Sequence, residues 1–273
     1  MRVAAGIEYR GTRFRGWQRQ HSGLTVQECV EDALSRVADH PIRVHCAGRT
    51  DAGVHALQQV IHFDTTALRQ PQAWVLGANV HLPDDVSLTW AAPVDPGFHA
   101  RYSATGRTYR YLILNRRSRP GTLQGLVAWE YRPLDPLRMA AAASGLIGEH
   151  DFSSFRAAEC QSKSPVREVR RLEIGKRDEL IVVEIEANAF LQHMVRNIIG
   201  VLTAIGTGSH EPAWAKELLA RRDRTLGGVT APPEGLYLAD VSYPAHFLVP
   251  ARQASSSIED MLPVARQSPL GAQ

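Results

Sequence analysis

The 273-residue sequence has few cysteines and no long apolar run, and each shortage excludes a class of protein. Its three cysteines, Cys29, Cys46 and Cys160, form no CxxC pair, so neither a disulfide framework nor a zinc site is expected. No stretch approaches the roughly 18 uncharged apolar residues of a membrane span. The opening segment MRVAAGIEYRG contains Glu8 and Arg10 too early for a signal peptide. We therefore predict a cytoplasmic protein without a membrane segment.

Lysine is also scarce, because only three of the 31 basic residues are lysine. Arginine grips phosphate with two N–H groups and stacks on bases, which suits nucleic acid, although codon usage in a GC-rich genome gives the same bias. The arginines concentrate in two segments that contain no acidic residue, 10–19 and 101–119. They are Arg10, Arg13, Arg15 and Arg19, and then Arg101, Arg107, Arg110, Arg116, Arg117 and Arg119. The two segments indicate either a face for a polyanion or ordinary solvated loops.

The first half of the chain has the pattern βαββαβ. Apolar residues alternate from Val3 to Tyr9 as in a half-buried strand. Thr25, with Glu28 three residues later, is typical of a capping box and predicts that a helix begins there. The further predicted elements are strands near 42–47, 57–64 and 86–92 and a helix near 71–80.

The second half repeats this order loosely. Predicted strands lie near 108–114, 126–131, 168–175, 180–187 and 236–243, and predicted helices near 136–146, near 189–205 and after Pro212. We therefore predict an α+β fold of two ferredoxin-like (RRM-like) βαββαβ subdomains joined into an extended antiparallel sheet with helices on one face. The predicted boundaries are 1–104 and 105–246. Residues 247–273 are predicted to be a loosely ordered tail.

The segment Cys46–Ala56, CAGRTDAGVHA, places an Arg-Thr-Asp triplet between two glycines and between two predicted strands. Such a loop presents Asp51 on a rigid turn with Arg49 beside it. The pattern alone allows two readings. Asp51 is either a catalytic carboxylate or a structural residue that caps the turn.

Two other patterns also leave alternatives open. On the predicted helix near 189–205, His193, Arg196, Asn197 and Gly200 share one face, which either lines a cleft for RNA or is simply solvated. Tyr109 lies in a basic neighbourhood on a predicted strand. It is either a core aromatic or a platform on which a base stacks. Trp17 and Gln18 lie in the first arginine segment, where an RNA contact is expected.

Several segments together resemble one family. Residues 48–56, GRTDAGVHA, are similar to the signature of the tRNA pseudouridine synthase A family. Residues 14–20 (FRGWQRQ), 98–111 (FHARYSATGRTYRY) and 187–200 (ANAFLQHMVRNIIG) resemble further motifs of that family. Residues 223–225 and 234–238 match its C-terminal pieces. The resemblance extends over about residues 2–245 and keeps the motifs in the expected order.

The resemblance implies a specific activity and set of residues. It implies isomerisation of uridine to pseudouridine at positions 38, 39 and 40 of the tRNA anticodon stem-loop, by a homodimer that needs no cofactor. Asp51 corresponds to the nucleophilic aspartate and Tyr109 to the tyrosine that stacks on the target uracil. Arg196 corresponds to the arginine paired with the aspartate, and Arg49 to a residue that helps to hold the base out of its stack.

The implied reaction breaks the C1′–N1 bond and rejoins the uracil through C5, so nothing is oxidised and no nicotinamide, metal or nucleotide is required. The sequence contains no P-loop, no GxGxxG and no Cys/His ligand cluster, which is consistent with that chemistry. A carboxylate can attack the sugar or C6 of the base, or it can act through a glycal route. Two alternatives remain, a non-catalytic RNA-binding module and a metal-dependent RNA hydrolase. The first has no use for Asp51, and the second lacks the ligand cluster it needs.

Overall fold

The computed structural model describes residues 1–250 and shows a mixed α/β chain, which confirms the predicted fold class. In chain order the strands are β1 (Arg2–Tyr9), β2 (His45–Cys46), β3 (His55–Asp64), β4 (Val86–Val94), β5 (Gly106–Asn115), β6 (Ala128–Glu130), β7 (Gly148–Asp151), β8 (Val166–Arg177), β9 (Leu180–Ala187) and β10 (Leu236–Ser242). The α-helices are α1 (Val26–Ala38), α2 (Pro71–His81), α3 (Pro136–Ser144), α4 (Met194–Gly206) and α5 (Trp214–Arg221). Most of the predicted tail lies outside the described residues.

The chain divides into two compact units. The first consists of Met1–Tyr109 together with the chain from Leu236 to the end of the described residues, and the second is Arg110–Gly235. Strand β5 begins in the first unit and ends in the second. Strand β10 contacts β3 and so belongs to the first unit, although it follows the second unit in the chain.

In the first unit, β1 lies between β3 and β4 and is antiparallel to both, and β3 has β10 as its other neighbour. The β3–β10 pairing is parallel, with Tyr237 opposite His55, a direction that the sequence did not predict. Helix α1 begins where the capping pattern predicted, because the Thr25 side chain accepts a hydrogen bond from the Glu28 backbone N–H. Helices α1 and α2 pack on each other over a core that includes the T-shaped pair Phe63 and Trp74.

In the second unit, the strand order is β5–β9–β8–β7, with β6 parallel to β5. The β8–β9 hairpin is antiparallel, and Asp178 in its turn has a φ of 53°. Helix α3 begins at Pro136 behind the Asp135 cap and packs on α4, α5 and β8. The short strand β7 was not predicted, because its four residues show no clear alternation.

Helix α4 begins at Met194, five residues after the predicted start. His193, the residue before it, has a φ of 60° and a ψ of 2°, which is the left-handed conformation. A residue in that conformation cannot continue a right-handed helix. Residues 189–193 therefore form the approach to the helix and not its first turn.

Candidate active site

Asp51 lies on the loop that joins β2 to β3, and it is half-buried. The side-chain amide of Gln59 closes the start of this loop, since it donates to the Gly48 carbonyl at 2.6 Å and accepts from the Gly48 N–H at 3.3 Å. The Val54 N–H donates to the Asp51 carbonyl at 3.1 Å and completes a tight turn. The aspartate is therefore presented from a backbone that is hydrogen-bonded on both sides.

A second loop, which contains Phe14 and Trp17, supports the loop that carries Asp51. The Trp17 N–H donates to the Thr50 carbonyl at 3.0 Å, and the Gly53 N–H donates to the Phe14 carbonyl at 3.3 Å. Between these contacts Gly16 has a φ of +88°, and a Cβ atom there would lie 2.7 Å from the Thr50 carbonyl oxygen. Only glycine fits this approach, so the FRGWQRQ segment is the support of the Asp51 loop.

Trp17 is part of that support and not part of the surface. Its side chain is 1% exposed, and its ring centre lies 6.1 Å from that of Tyr9. The Tyr9 hydroxyl forms a buried 2.7 Å hydrogen bond with the Thr50 hydroxyl. The expected RNA contact by Trp17 is therefore wrong, because the ring fills the core beneath the loop. Gln18 is exposed.

The far end of the loop is fixed by His55. Its Nδ1 accepts a hydrogen bond from the Gly11 N–H at 3.0 Å, and its ring stacks on Tyr237 of β10 at 4.5 Å. His55 is 1% exposed. This role is not visible in the sequence, because the stacking partner is 182 positions away in the chain.

Tyr109 lies against the Asp51 loop. A Cβ atom on Gly48 would lie 3.7 Å from the Tyr109 hydroxyl oxygen, so the hydroxyl faces the start of the loop. Burial raises the pKa of Tyr109, and the negative charge of Asp51 raises it further. Two of the predicted site residues, Asp51 and Tyr109, are thus brought together in the first unit, with the phenol kept neutral.

Arg107 is a residue whose role the sequence reasoning missed. It was counted among the surface arginines, but it is 9% exposed and donates to three backbone carbonyls. These are Ala47 at 3.1 Å, Arg101 at 2.7 Å and Ala104 at 3.3 Å. Burial lowers the pKa of its guanidinium. Arg107 therefore ties the strand that carries Tyr109 to the start of the Asp51 loop.

Arg49 stands two residues before Asp51 on the same loop and is exposed. Within residues 1–250, its side chain makes no hydrogen bond and no ion pair. A guanidinium in this position is available to a polyanion or to a displaced base.

Arg196 lies in the second unit, in the first turn of α4. It is half-buried, and its Nε donates to the Ala231 carbonyl at 2.8 Å. Its own carbonyl accepts a 3.0 Å hydrogen bond from the Ala231 N–H. The expected pairing of Arg196 with Asp51 stays a prediction.

Two residues of the polar face of α4, Asn197 and Gly200, have close contacts within the second unit. Asn197 is 2% exposed; it donates to the Phe155 carbonyl at 2.7 Å and accepts from Arg224 and Thr230. A Cβ atom on Gly200 would lie 1.8 Å from the Val229 carbonyl oxygen. Asn197 and Gly200 therefore pack against the chain between Arg224 and Ala231, and a contact of this face of α4 with RNA stays a prediction.

Several arginines of the two basic segments are already paired with carboxylates. Arg13 binds Asp85 through two hydrogen bonds of 2.7 and 3.0 Å, and Arg19 contacts Glu28 and Glu31. In the second unit, Arg110 pairs with Glu184 and Arg116 with Glu179. The remaining exposed members are Arg10, Arg15, Arg101, Arg117 and Arg119. The cationic surface is therefore smaller than the sequence predicted.

In residues 1–250, no three or more His, Cys, Asp or Glu side chains are grouped so that they could hold a metal ion. The helices of the same residues include none with the length and apolar character needed to cross a membrane.

A family model described as tRNA pseudouridine synthase matches residues 5–103 and 142–244. A tRNA pseudouridine synthase A of Coxiella burnetii is 57% identical over 249 residues, which cover 91% of this chain and 95% of that protein. Proteins of the same name from Methylococcus capsulatus and Vibrio cholerae are 57% and 54% identical, over 90% and 92% of this chain and 91% and 95% of theirs. A solved archaeal box H/ACA sRNP Nop10–Cbf5 complex gives a TM-score of 0.35 at 11% identity, over 74% of this chain and 43% of that chain.

The Asp51 loop lies within residues 5–103 of the family match, whereas strand β5 with Tyr109 lies between the two matched ranges. The chain belongs to the tRNA pseudouridine synthase family and is an isomerase that acts on RNA.

Proposed function

We propose that this chain isomerises uridine to pseudouridine at positions 38, 39 and 40 of the tRNA anticodon stem-loop, with Asp51 as the nucleophile. The observation that carries the proposal is the placement of Asp51. It is half-buried on a loop that Gln59, Phe14 and Trp17 hold through hydrogen bonds, beside the buried hydroxyl of Tyr109. A carboxylate held this rigidly loses little freedom when it meets a substrate.

The reaction is balanced without any added reactant. The C1′–N1 bond breaks, the uracil turns, and a C1′–C5 bond forms, while C5 loses a proton and N1 ends with one. Asp51 assists by attack on C1′ or on C6, or by removal of a proton from the sugar. None of these routes calls for a redox partner or a nucleotide.

The other site residues follow the same proposal. Tyr109 stacks on the target uracil, and its neutral phenol adds no charge next to Asp51. Arg49 is exposed on the same loop and helps to hold the target base outside its stack. Removal of a base from the stack costs about a few kcal/mol. Arg196 pairs with Asp51 and orients the carboxylate through its two-pronged guanidinium.

We further propose that the enzyme works in the cytoplasm as a homodimer. The residues 1–104 and 105–246 are proposed to be its two ferredoxin-like subdomains. The cysteines Cys29, Cys46 and Cys160 are free, which fits a reducing compartment. Sedimentation at micromolar concentration tests the oligomeric state directly.

The experiment that tests the function uses an unmodified tRNA transcript with uridines at positions 38, 39 and 40. The protein is incubated with it without nucleotide and with EDTA in slight excess over contaminating metal, and the pseudouridines are mapped by sequencing. We expect modification at these three positions only. Modification elsewhere in the tRNA would overturn the assignment of the stem-loop, and no modification at all would overturn the proposed activity.

A further inference from the structure

A stack of four rings lies in the first unit, close in the structure to the Asp51 loop but outside the site described so far. His45 stacks on His62 at 4.9 Å, and His62 meets His99 edge to face at 4.5 Å. His99 in turn contacts Tyr102, with ring centres 4.3 Å apart. His62 is 2% exposed, whereas His45 is exposed and Tyr102 is 76% exposed.

Backbone hydrogen bonds hold the two middle rings. The Nδ1 of His62 accepts from the Ala100 N–H at 3.1 Å, and the Nδ1 of His99 accepts from the N–H groups of Arg101 and Tyr102 at 3.1 and 3.3 Å. A nitrogen that accepts a hydrogen bond carries no proton, so both imidazoles are neutral in this arrangement. Burial lowers the pKa of both rings, that of His62 to about 3. The four rings therefore form an aromatic column whose middle members, His62 and His99, are neutral and held by backbone hydrogen bonds.

The outer end of the column combines an aromatic surface with a cation. The Arg101 guanidinium lies 5.7 Å from the centre of the Tyr102 ring, and Arg101 is exposed. The sequence has no acidic residue between Asp95 and Glu130. An exposed aromatic ring can stack on the face of any base, and an adjacent guanidinium favours a polyanion.

The column is also joined to the candidate active site. The Arg101 carbonyl accepts a hydrogen bond from Arg107, and the same guanidinium holds the Ala47 carbonyl at the start of the Asp51 loop. A base resting on Tyr102 would therefore lie on a surface that shares its support with Asp51.

We propose that Tyr102, backed by His99 and flanked by Arg101, is a stacking site for an unpaired nucleobase of the tRNA substrate, distinct from the contact made by Tyr109. The proposal rests on the proposed function, because it takes tRNA as the substrate. Tyr102 gives the stacking surface, His99 keeps that surface fixed, and Arg101 binds a neighbouring phosphate.

The test compares Tyr102→Ala and Tyr102→Phe with the unaltered protein. Binding of an unmodified tRNA transcript is followed by fluorescence anisotropy, and thermal unfolding is measured beside it. Since one stacked base contributes about 1–3 kcal/mol, we expect Tyr102→Ala to raise the Kd about 5- to 150-fold. Tyr102→Phe retains the ring and should bind as the unaltered protein does. The Tm of both variants should be unchanged, because the side chain is 76% exposed.

Tyr131 supplies a matched control. It is 60% exposed and has the Arg132 guanidinium 5.9 Å from its ring centre, but Glu130 pairs with that guanidinium. Tyr131→Ala should therefore leave the Kd for tRNA unchanged. A Kd for Tyr102→Ala within twofold of the unaltered value would overturn the proposal, and so would an equal loss in Tyr131→Ala. If the unaltered protein forms pseudouridine while Tyr102→Ala binds tRNA normally, only the stacking site is refuted; if it forms none, the proposed function itself fails.

Discussion

At the residue level, two histidines of strand β3, His55 and His62, have different structural roles. His55 is a hydrogen-bond acceptor and a stacking partner at the end of the Asp51 loop. His62 is a buried member of a ring stack. Neither role is visible in the sequence, because both depend on partners that folding brings from distant positions.

His62 makes stability depend on pH. Burial, followed by the coulombic interaction with His99 and His45, lowers its pKa to about 3, whereas an unfolded histidine titrates near 6.5. Below pH 6.5 the unfolded state takes up a proton that the folded state does not, so the free energy of unfolding falls as the pH falls. When the pH falls from 7.5 to 5.5, His62 alone should lower the free energy of unfolding by up to about 1.4 kcal/mol.

The measurement is urea unfolding at both pH values for the unaltered protein and for His62→Asn. The Asn oxygen can accept the hydrogen bond from the Ala100 N–H that Nδ1 accepts now. We expect the variant to be less stable at pH 7.5 but to lose about 1.4 kcal/mol less on acidification. An equal loss in the two proteins would show that His62 is protonated in the folded state.

At the scale of elements, local sequence signals predicted most strands and helices, because alternation and capping are local properties. Helix α1 and its Thr25 cap are an example. The predicted start of α4 was wrong, since nothing in the local sequence indicates that His193 takes a left-handed conformation. The contacts of Asn197 on the polar face of α4 were not predicted for a related reason. Helical spacing shows which residues share a face, but only tertiary contacts show that Asn197 meets Phe155, Arg224 and Thr230.

The sequence predicted some residues of the candidate site but not the residues that support them. Asp51, Arg49 and Tyr109 were predicted from motifs that resemble a family, and the structure brings Asp51 and Tyr109 together. The supports of the site were not predicted. Trp17 and Arg107 both lie in arginine-rich segments that suggested a surface, whereas each is buried beneath the Asp51 loop or beside it.

The two loops around Asp51 act as one element, and Gly16 tests that claim. A Cβ atom at Gly16 would press on the Thr50 carbonyl from 2.7 Å, and the φ of +88° would cost about 1–2 kcal/mol for any L-residue. We expect Gly16→Ala to displace the Asp51 loop. Since a shift of about 1 Å can cost about a hundredfold in rate, turnover should fall by at least about tenfold.

Gly208→Ala is the matched control. Gly208 has a φ of +81°, but a Cβ atom there would meet nothing within 4 Å. It carries the same backbone strain without the contact. Turnover is measured at saturating tRNA for both variants, and stability by thermal unfolding. Equal activity in the two variants would mean that the contact with Thr50 does not position Asp51.

At the scale of the whole molecule, the near-neutral net charge of +3 conceals an uneven surface. Carboxylates neutralise Arg13 and Arg19, whereas Arg10 and Arg15 are exposed and, within the described residues, form no ion pair. The basic segment at 10–19 therefore offers two arginines to a polyanion and not four.

The salt dependence of tRNA binding tests how many arginines of this segment contact phosphate. Replacing Arg10 and Arg15 together with alanine should weaken tRNA binding and reduce the slope of log K against log salt by about one unit for each lost phosphate contact. Arg43→Ala is the control, because Arg43 is exposed but pairs with Glu31 at 3.0 Å. An unchanged slope in the double variant would assign the segment to solvent.

Asp51 is proposed to perform the chemistry, and the turnover of Asp51→Asn tests that role. Pseudouridine formation removes the hydrogen from C5, so tRNA labelled with tritium at C5 of uridine releases tritium to water as it reacts. We predict that Asp51→Asn releases less than about a thousandth of the tritium that the unaltered protein releases in a single turnover, while its Kd for tRNA stays within about threefold. Asp84→Asn, a change at an exposed aspartate of the same unit, should react normally. Release by Asp51→Asn at a rate near that of Asp84→Asn would contradict the account.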